Sequence, residues 1–297
     1  MSSCKPVGFN KRTLVTFNNK QIETLMKIPK FNFRAIVSLM ALLVVTTTSC
    51  KKDKDEKTAP EVPPQSAFIM DFGSFSDAGD TLKSTGVADS YSNWGFSYLN
   101  VAVWNTVITV GLAVPVASYV EAFNHEAVYH PDENNWTWSY NFNAGFAVYE
   151  AELTGAIEGT QVEWAMRITK SGSYSDFLWY HGSSALNLTS GYWILAESPE
   201  NPVDLLRIDW NNFSNGTADI RYTNIKTGNP ENGSNIWYGT ALTAYDRFYN
   251  IYINSTDNTT NIEWNSVNRT GHVKDQLHFG DQNWHCWDEN LMNVVCP

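Results

Sequence analysis

The sequence predicts a mainly β protein: a large, curved, antiparallel up-and-down sheet, a half-barrel, with one or two covering helices. Two observations carry that prediction. From Asn135 onward, apolar and polar residues alternate with a period of two, in runs separated by turn-forming residues. Before that, one segment between Asp89 and Glu121 has no charged residue and is apolar on all sides, as a helix buried on most of its surface would be. Composition agrees. With 43% hydrophobic and 17% charged residues the chain is too apolar for disorder and too evenly polar for a multi-span membrane protein. A two-sheet β-sandwich with Greek-key returns would show the same alternation and is the rival architecture.

The strands follow in order. Residues 65–71 (QSAFIMD) read as a first strand. Trp136, Trp138, Tyr140 and Phe142 then alternate with Thr137, Ser139 and Asn141. Tyr149, Ala151 and Leu153 alternate with Glu150, Glu152 and Thr154. Val162, Trp164, Met166 and Ile168 alternate with Glu163, Ala165 and Arg167. Leu206, Ile208 and Trp210, then Ile220 and Tyr222, continue the pattern, with similar runs at 177–181, 186–196, 236–243, 248–254, 261–267, 272–279 and 283–288. Such runs are half-buried strands. The breaks carry turn chemistry at Glu158-Gly159, Asn215-Gly216, Asn232-Gly233 and Asp257-Asn258. If neighbours pair antiparallel, Arg167 faces the strand of Glu150 and Glu152, and Arg207 and Asp209 face Asp219 and Arg221. Opposite charges across a wet face support that topology.

The charge-free segment reads as two helical pieces, 96–112 and 115–126. Gly111 ends the first and Pro115 sits in the first turn of the second. Its stretch 101–120 is apolar enough to raise a membrane span, but Asn105, Thr106 and Thr109 interrupt it and Pro115 breaks it. An open sheet of this size curls, and its concave apolar face needs cover. The helical segment is the available cover. Trp104, Ile108, Trp136, Trp138 and Trp164 are the candidate ligand-facing residues between helix and sheet.

The N-terminal region is an address rather than part of the fold. Met26 opens a run in which Lys27, Lys30 and Arg34 precede the apolar stretch 35–45, followed by Thr47, Thr48, Ser49 and Cys50. This resembles a bacterial lipoprotein signal, in which a small residue precedes the cysteine that is lipidated and becomes the mature N-terminus. The resemblance implies lipidation at Cys50, anchoring in the cell envelope at the outer membrane, and exposure at the cell surface as a further option. Thr47 departs from the family pattern, where leucine is commoner. The reading divides the chain into a non-native upstream extension (1–25), a signal peptide (26–49), a charged, Pro-containing tether (50–64) and a single β-rich domain (65–297).

That division changes the charge. The whole chain has a formal net charge of −11, but from Gln65 on, 9 Lys and Arg stand against 26 Asp and Glu, a net −17. An acidic body excludes nucleic acid as a partner and leaves lipid, glycan or neutral ligands. Cys4 and Cys50 fall in the leader and at the lipid site, so Cys286 and Cys296 read as one short disulfide of an exported protein.

The predicted architecture is similar to the half-barrel of periplasmic lipoprotein carriers and related lipid-binding lipoproteins, in outline only, over about 66–297. No residue motif of that family is present, so no functional residue is carried over.

A search for chemistry gives little. There is no G-x-S-x-G elbow, phosphate loop or H-E-x-x-H. Gly182-Ser183-Ser184 reads as a turn-like triplet. His125 with Glu121, Glu126 and His130, and His278 with Asp281, His285 and Asp288, lack a recognised metal spacing. No metal or other cofactor is implied. Glu150 and Glu152 share a strand face, as a glycosidase pair would, but both fall on the side assigned to water, with Arg167 near. Trp179-Tyr180 and Tyr192-Trp193 are adjacent pairs, so at least one member of each points to the wet side, where it could serve glycan binding, or into a second packed layer, which is the favoured reading.

Three functions remain: a non-enzymatic envelope lipoprotein holding a hydrophobic ligand between sheet and helix, a surface glycan-binding module, and an extracytoplasmic hydrolase using acidic residues. The sequence favours the first. Lipidation has a direct expectation. Mass spectrometry of the mature protein should find an acylated N-terminal Cys50, and Cys50→Ser should abolish incorporation of labelled palmitate. An unmodified Cys50, or a mature chain retaining residues 13–20, would overturn the leader assignment.

Overall fold

A computed structural model describes residues 57–76 and 89–297, and in it fourteen strands form one antiparallel, unclosed sheet. Their order in space is their order in sequence. The first five are β1 (Val128–His130), β2 (Asn135–Ala144), β3 (Ala147–Glu158), β4 (Gln161–Lys170) and β5 (Tyr174–Ala185). Then come β6 (Ser190–Ala196), β7 (Asp204–Asn212), β8 (Ala218–Asn224), β9 (Asn235–Thr240) and β10 (Arg247–Ile253). The last are β11 (Asn258–Trp264), β12 (Gly271–Asp275), β13 (His285–Trp287) and β14 (Asn293–Val294). One continuous sheet is the half-barrel arrangement, not the sandwich. The expected upstream extension and signal peptide, with Cys4, Cys50 and the charged run to Glu56, lie outside the described residues, as does the 77–88 stretch with Gly79 and Gly86.

Alternation decides which face is which. Trp138, Leu153, Met166, Tyr180, Leu195, Ile208, Tyr222, Ile236, Ile251, Ile262 and Val273 are all buried, one or more from each of β2 to β12. Glu152 lies opposite Arg167, and Asp209 opposite Arg221, on the other face. The ion pairs run differently in detail. Arg167 bonds Asp176 at 3.2 Å, and Arg207 bonds Asp209 on its own strand at 2.6 Å. These exposed pairs contribute little to stability.

Four helices complete the body: α1 (Gly73–Ser76), α2 (Ser92–Gly111), α3 (Ala113–Ala122) and α4 (Gln276–Phe279). The two expected pieces are α2 and α3, shifted by a few residues, with Gly111 closing the first. Among the described residues no single helix is long and apolar enough to cross a membrane; α2 and α3 pass that test only together, and a 72° bend separates them. The start of α2 packs on β12, β13 and β14, and α3 packs on β2. The bent pair therefore bridges the two ends of an open sheet. The Asn93 side-chain N–H donates to the Cys286 carbonyl at 2.9 Å, and a Cys286–Cys296 disulfide secures the C-terminal segment beside it.

Three readings of the sequence need correction. Residues 65–71 form no strand. A short turn at Gln65–Ala67 leads into an extended strap crossing the concave face. The strap is apolar enough to be buried, but tyrosine hydroxyls serve its backbone in place of a neighbouring strand. The Tyr222 hydroxyl donates to the Phe68 carbonyl (2.8 Å) and accepts from the Met70 N–H (2.9 Å). The Tyr119 hydroxyl donates to the Pro63 carbonyl (2.6 Å), and Tyr249 donates to the Asp71 carbonyl. Residues 57–64, expected to be tether, are packed as well. Pro60, Val62 and Pro63 are buried, and the Lys57 ammonium donates to the Tyr129 hydroxyl and the Asn134 side chain, both at 2.8 Å. Finally, Gly182-Ser183-Ser184 lies inside β5. A side chain on Gly182 would sit 2.0 Å from the Tyr192 carbonyl, and Ser184 accepts the Trp164 indole N–H at 2.9 Å. Small residues there let Trp164 and Trp193 cross the strand.

Of the adjacent aromatic pairs, one takes the packed alternative, through a bulge that alternation does not show. Trp179 and Tyr180 are both buried. A register shift between Met166 and Arg167 opposes Tyr180 to Met166 and Leu178 to Arg167, leaving Trp179 as the extra residue of a bulge. Trp193 is buried and its neighbour Tyr192 half-buried on the outer face, as alternation requires. The run expected at 272–279 stops at Asp275, whose carboxylate accepts the His278 N–H at 2.8 Å and caps α4.

Two outcomes follow. Gly182→Ala should lower stability by about 1–3 kcal/mol through overpacking, read from urea unfolding; an unchanged midpoint would contradict the close approach. Burial pushes the hydroxyls of Tyr119, Tyr180, Tyr222 and Tyr249 well above the ordinary tyrosine value of 10.0. The folded chain keeps these protons where the unfolded chain releases them. Their stability contribution should be constant below about pH 10 and fall above it, by about 1.4 kcal/mol per pH unit for each such tyrosine. Ultraviolet titration should show these phenols ionising only as the protein unfolds.

Candidate functional site

The C-terminal half of α2 is where the covering layer is incomplete. Its contact with the sheet narrows to a keel of Val101, Ile108 and Leu112, all buried. A cleft lies on each side. One, of about 400 Å³, is bounded by Trp104, Val107 and Ile108 of α2, by Leu205 and Leu206 of β7 and by Ile253 of β10. The other, of about 520 Å³, lies between α2 and the strap, with Ile69, Met70, Phe72, Val116 and Tyr222 in its walls. Ile108 borders both.

The first cleft is the more uniformly apolar. Its few polar members bond among themselves: the Ser234 hydroxyl donates to Glu231 (2.5 Å) and accepts the Asn254 N–H (2.8 Å). The Ser234 bond holds the Glu231 carboxyl below its usual range. These groups rim the cleft and leave its walls apolar. An apolar concavity of this size with a few placed polar groups is the usual form of a small-molecule site.

Of the five predicted ligand-facing residues the structure brings two to this cleft, Trp104 and Ile108. Trp136, Trp138 and Trp164 line neither cleft and are buried in the packed end beneath α3 and the strap. There Trp138 lies 5.7 Å from Trp164, and the Trp136 indole N–H donates to the Lys57 carbonyl at 3.4 Å. Leu205, Leu206 and Ile253 went unrecognised in the sequence, because strand periodicity marks them only as core. The exposed side of α2 had a readable signal: Leu99, Val103, Val107 and Val110 recur at helical spacing without one charged neighbour on the helix.

The other candidates are placed less favourably. Glu150 and Glu152 are exposed around a shallow polar depression of about 460 Å³ with Arg167 and Asp176. Acid–base work needs two carboxyls in contrasting surroundings, and these share one wet face. Outward aromatics carry cations: Arg207 lies 4.3 Å from the Tyr192 ring, Arg221 4.5 Å from Trp237 and Lys274 4.8 Å from Trp284. A sugar stacking there would have to displace those groups. Three of the histidines named in the sequence are engaged too. His125 bonds Glu121 and His285 bonds Asp281, each at 3.1 Å, and His278 stacks on Phe96 at 3.8 Å. Among the described residues no three His, Cys, Asp or Glu side chains gather as a metal site would require.

Comparison with protein-family models, with curated proteins and with solved structures finds no match to this chain.

Proposed function

We propose that this chain is a non-enzymatic, lipid-anchored protein of the cell envelope whose body holds a hydrophobic ligand in the cleft between α2 and strands β7, β8 and β10. The observation that supports this most is the cleft itself. It offers about 400 Å³ bounded mainly by Trp104, Val107, Ile108, Leu205, Leu206 and Ile253, with its polar members at the rim. Apolar surface left in contact with water is unfavourable by roughly 25 cal/mol per Å², so a ligand with an acyl chain or a fused hydrocarbon ring gains by covering it. The one hydroxyl–carboxylate pair of the cleft, Ser234 with Glu231, has its hydroxyl also engaged by the Asn254 N–H, and the carboxyl is held below its usual range, so Glu231 is a weak base. The leader resembling a lipoprotein signal, and the Cys286–Cys296 disulfide, fit an extracytoplasmic address.

Organic extraction of the natively purified protein, followed by mass spectrometry, should recover a hydrophobic molecule at near-stoichiometric yield. Leu205→Trp, which fills the cleft, should lower that yield at least about tenfold, a loss of about 1.4 kcal/mol, with the thermal midpoint nearly unchanged. Recovery of nothing, or a yield indifferent to Leu205→Trp in a folded protein, would sink the reading.

A further inference from the structure

We infer that the outward side of α2 is a membrane-docking surface: it rests at the boundary between head groups and acyl chains of the bilayer that carries the Cys50 lipid, and opens the cleft onto those chains. The inference rests on the lipoprotein reading and deepens it by naming the surface the site faces.

The first support is the helix itself. A surface helix normally shows water a charged or polar side. Here Leu99, Val103, Val107 and Val110 form a stripe between 59% and 75% exposed, and no residue from Ser90 to Val120 is charged. Contiguous exposed apolar surface marks an interaction site. Thr106 and Thr109 lie beside the stripe. Their hydroxyls bond back onto the helix, Thr106 to the Ala102 carbonyl at 2.8 Å and Thr109 to the Asn105 side chain at 2.9 Å, so they bring little unsatisfied polarity to an apolar neighbour.

The second support is where the chain leaves. Six residues separate Cys50 from Lys57, so the seven Cα–Cα steps between them reach at most about 25 Å when fully extended. Lys57 is fixed to Tyr129 and Asn134 at the β1–β2 end, and its carbonyl accepts from Trp136, a residue of the concave side. The strap that follows runs over that same side, through Tyr119, Tyr222 and Tyr249. The described chain thus starts on the side that bears α2, and a lipid within about 25 Å of Lys57 can reach a bilayer against that side.

The third support is continuity. Val103 and Val107 belong both to the exposed stripe and to the wall of the cleft. An acyl chain could pass from the bilayer to the cleft without crossing water, which neither a free-floating body nor a stripe covered by a protein partner would allow.

The test places a single environment-sensitive fluorophore at Val107→Cys in the full-length, lipidated protein, with a second sample labelled at Val148→Cys on the exposed side of β3. Both are reconstituted in phosphatidylcholine vesicles whose acyl chains are brominated or plain. The Val107 label should be quenched severalfold by brominated chains and shifted to the blue, and the Val148 label should be unaffected. Equal or absent quenching at the two positions would overturn the proposal. So would a cross-linked dimer through the Val107 thiol with no quenching, which would give the stripe to a second copy. Thermal melts of the labelled variants confirm that both are folded. Co-purified lipid with no quenching would end this inference and leave the ligand reading standing; quenching without any recovered ligand would do the reverse.

Discussion

The structure depends on how an irregular stretch of backbone is buried. Residues 63–72 cross the concave face of the sheet, where each unpaired N–H or C=O would be costly. Inward-pointing tyrosines solve this. Tyr222 both donates to Phe68 and accepts from Met70, while Tyr119 and Tyr249 take the carbonyls of Pro63 and Asp71. With its backbone satisfied, Phe68 is buried with no exposed surface, 4.5 Å from Tyr119, 4.9 Å from Tyr180 and 5.8 Å from Trp193. Those partners belong to α3, β5 and β6. One side chain thus joins the strap, the second helix and the middle of the sheet.

An open sheet of fourteen strands has two ends that nothing in its ladder connects. The bent pair of α2 and α3 connects them, from β12–β14 to β2. A straight rod across a strongly twisted, curved surface cannot touch it everywhere. The contact is close at Trp94 near one end and at Tyr119 near the other, and narrows to the line of Val101, Ile108 and Leu112 between them. The clefts beside Ile108 are the geometric remainder of that bridging. The strap fills the space under α3 but reaches only one flank of α2, so the flank facing β7 and β10 stays open.

Much of this was legible in the residues. The period of two in β2, β3 and β4 and the glycine turns fixed the face of each side chain, since Gly159, Gly216 and Gly233 all adopt the positive φ that such turns need. What was not legible depended on contacts distant in sequence. Residues 65–71 have a strand's composition, and only the hydroxyls of Tyr222 and Tyr249, more than 150 residues away, make them a strap. Pro60, Val62 and Pro63 follow a charged run and so resemble a linker until α3 is seen above them. Trp179 defied alternation because a bulge is invisible to periodicity. The site was half legible for the same reason. Trp104 and Ile108 sit on one helix, where spacing shows what they share. Trp136, Trp138 and Trp164 look equally inward-facing from their strands, but α3 and the strap close over them.

Charge supplies the last constraint. The domain from Gln65 carries 26 acidic residues against 9 basic ones, yet none of either kind occupies the 31 residues from Ser90 to Val120. Packing alone does not require that, because the outward side of α2 would tolerate lysine or glutamate without disturbing Ile108 or Leu112. A helix that only bridged the sheet would gain solubility from such charges, and Val103, Val107 and Val110 would be the natural places for them. Their apolar character is thus not explained by the fold. It fits a surface that spends its time against something uncharged.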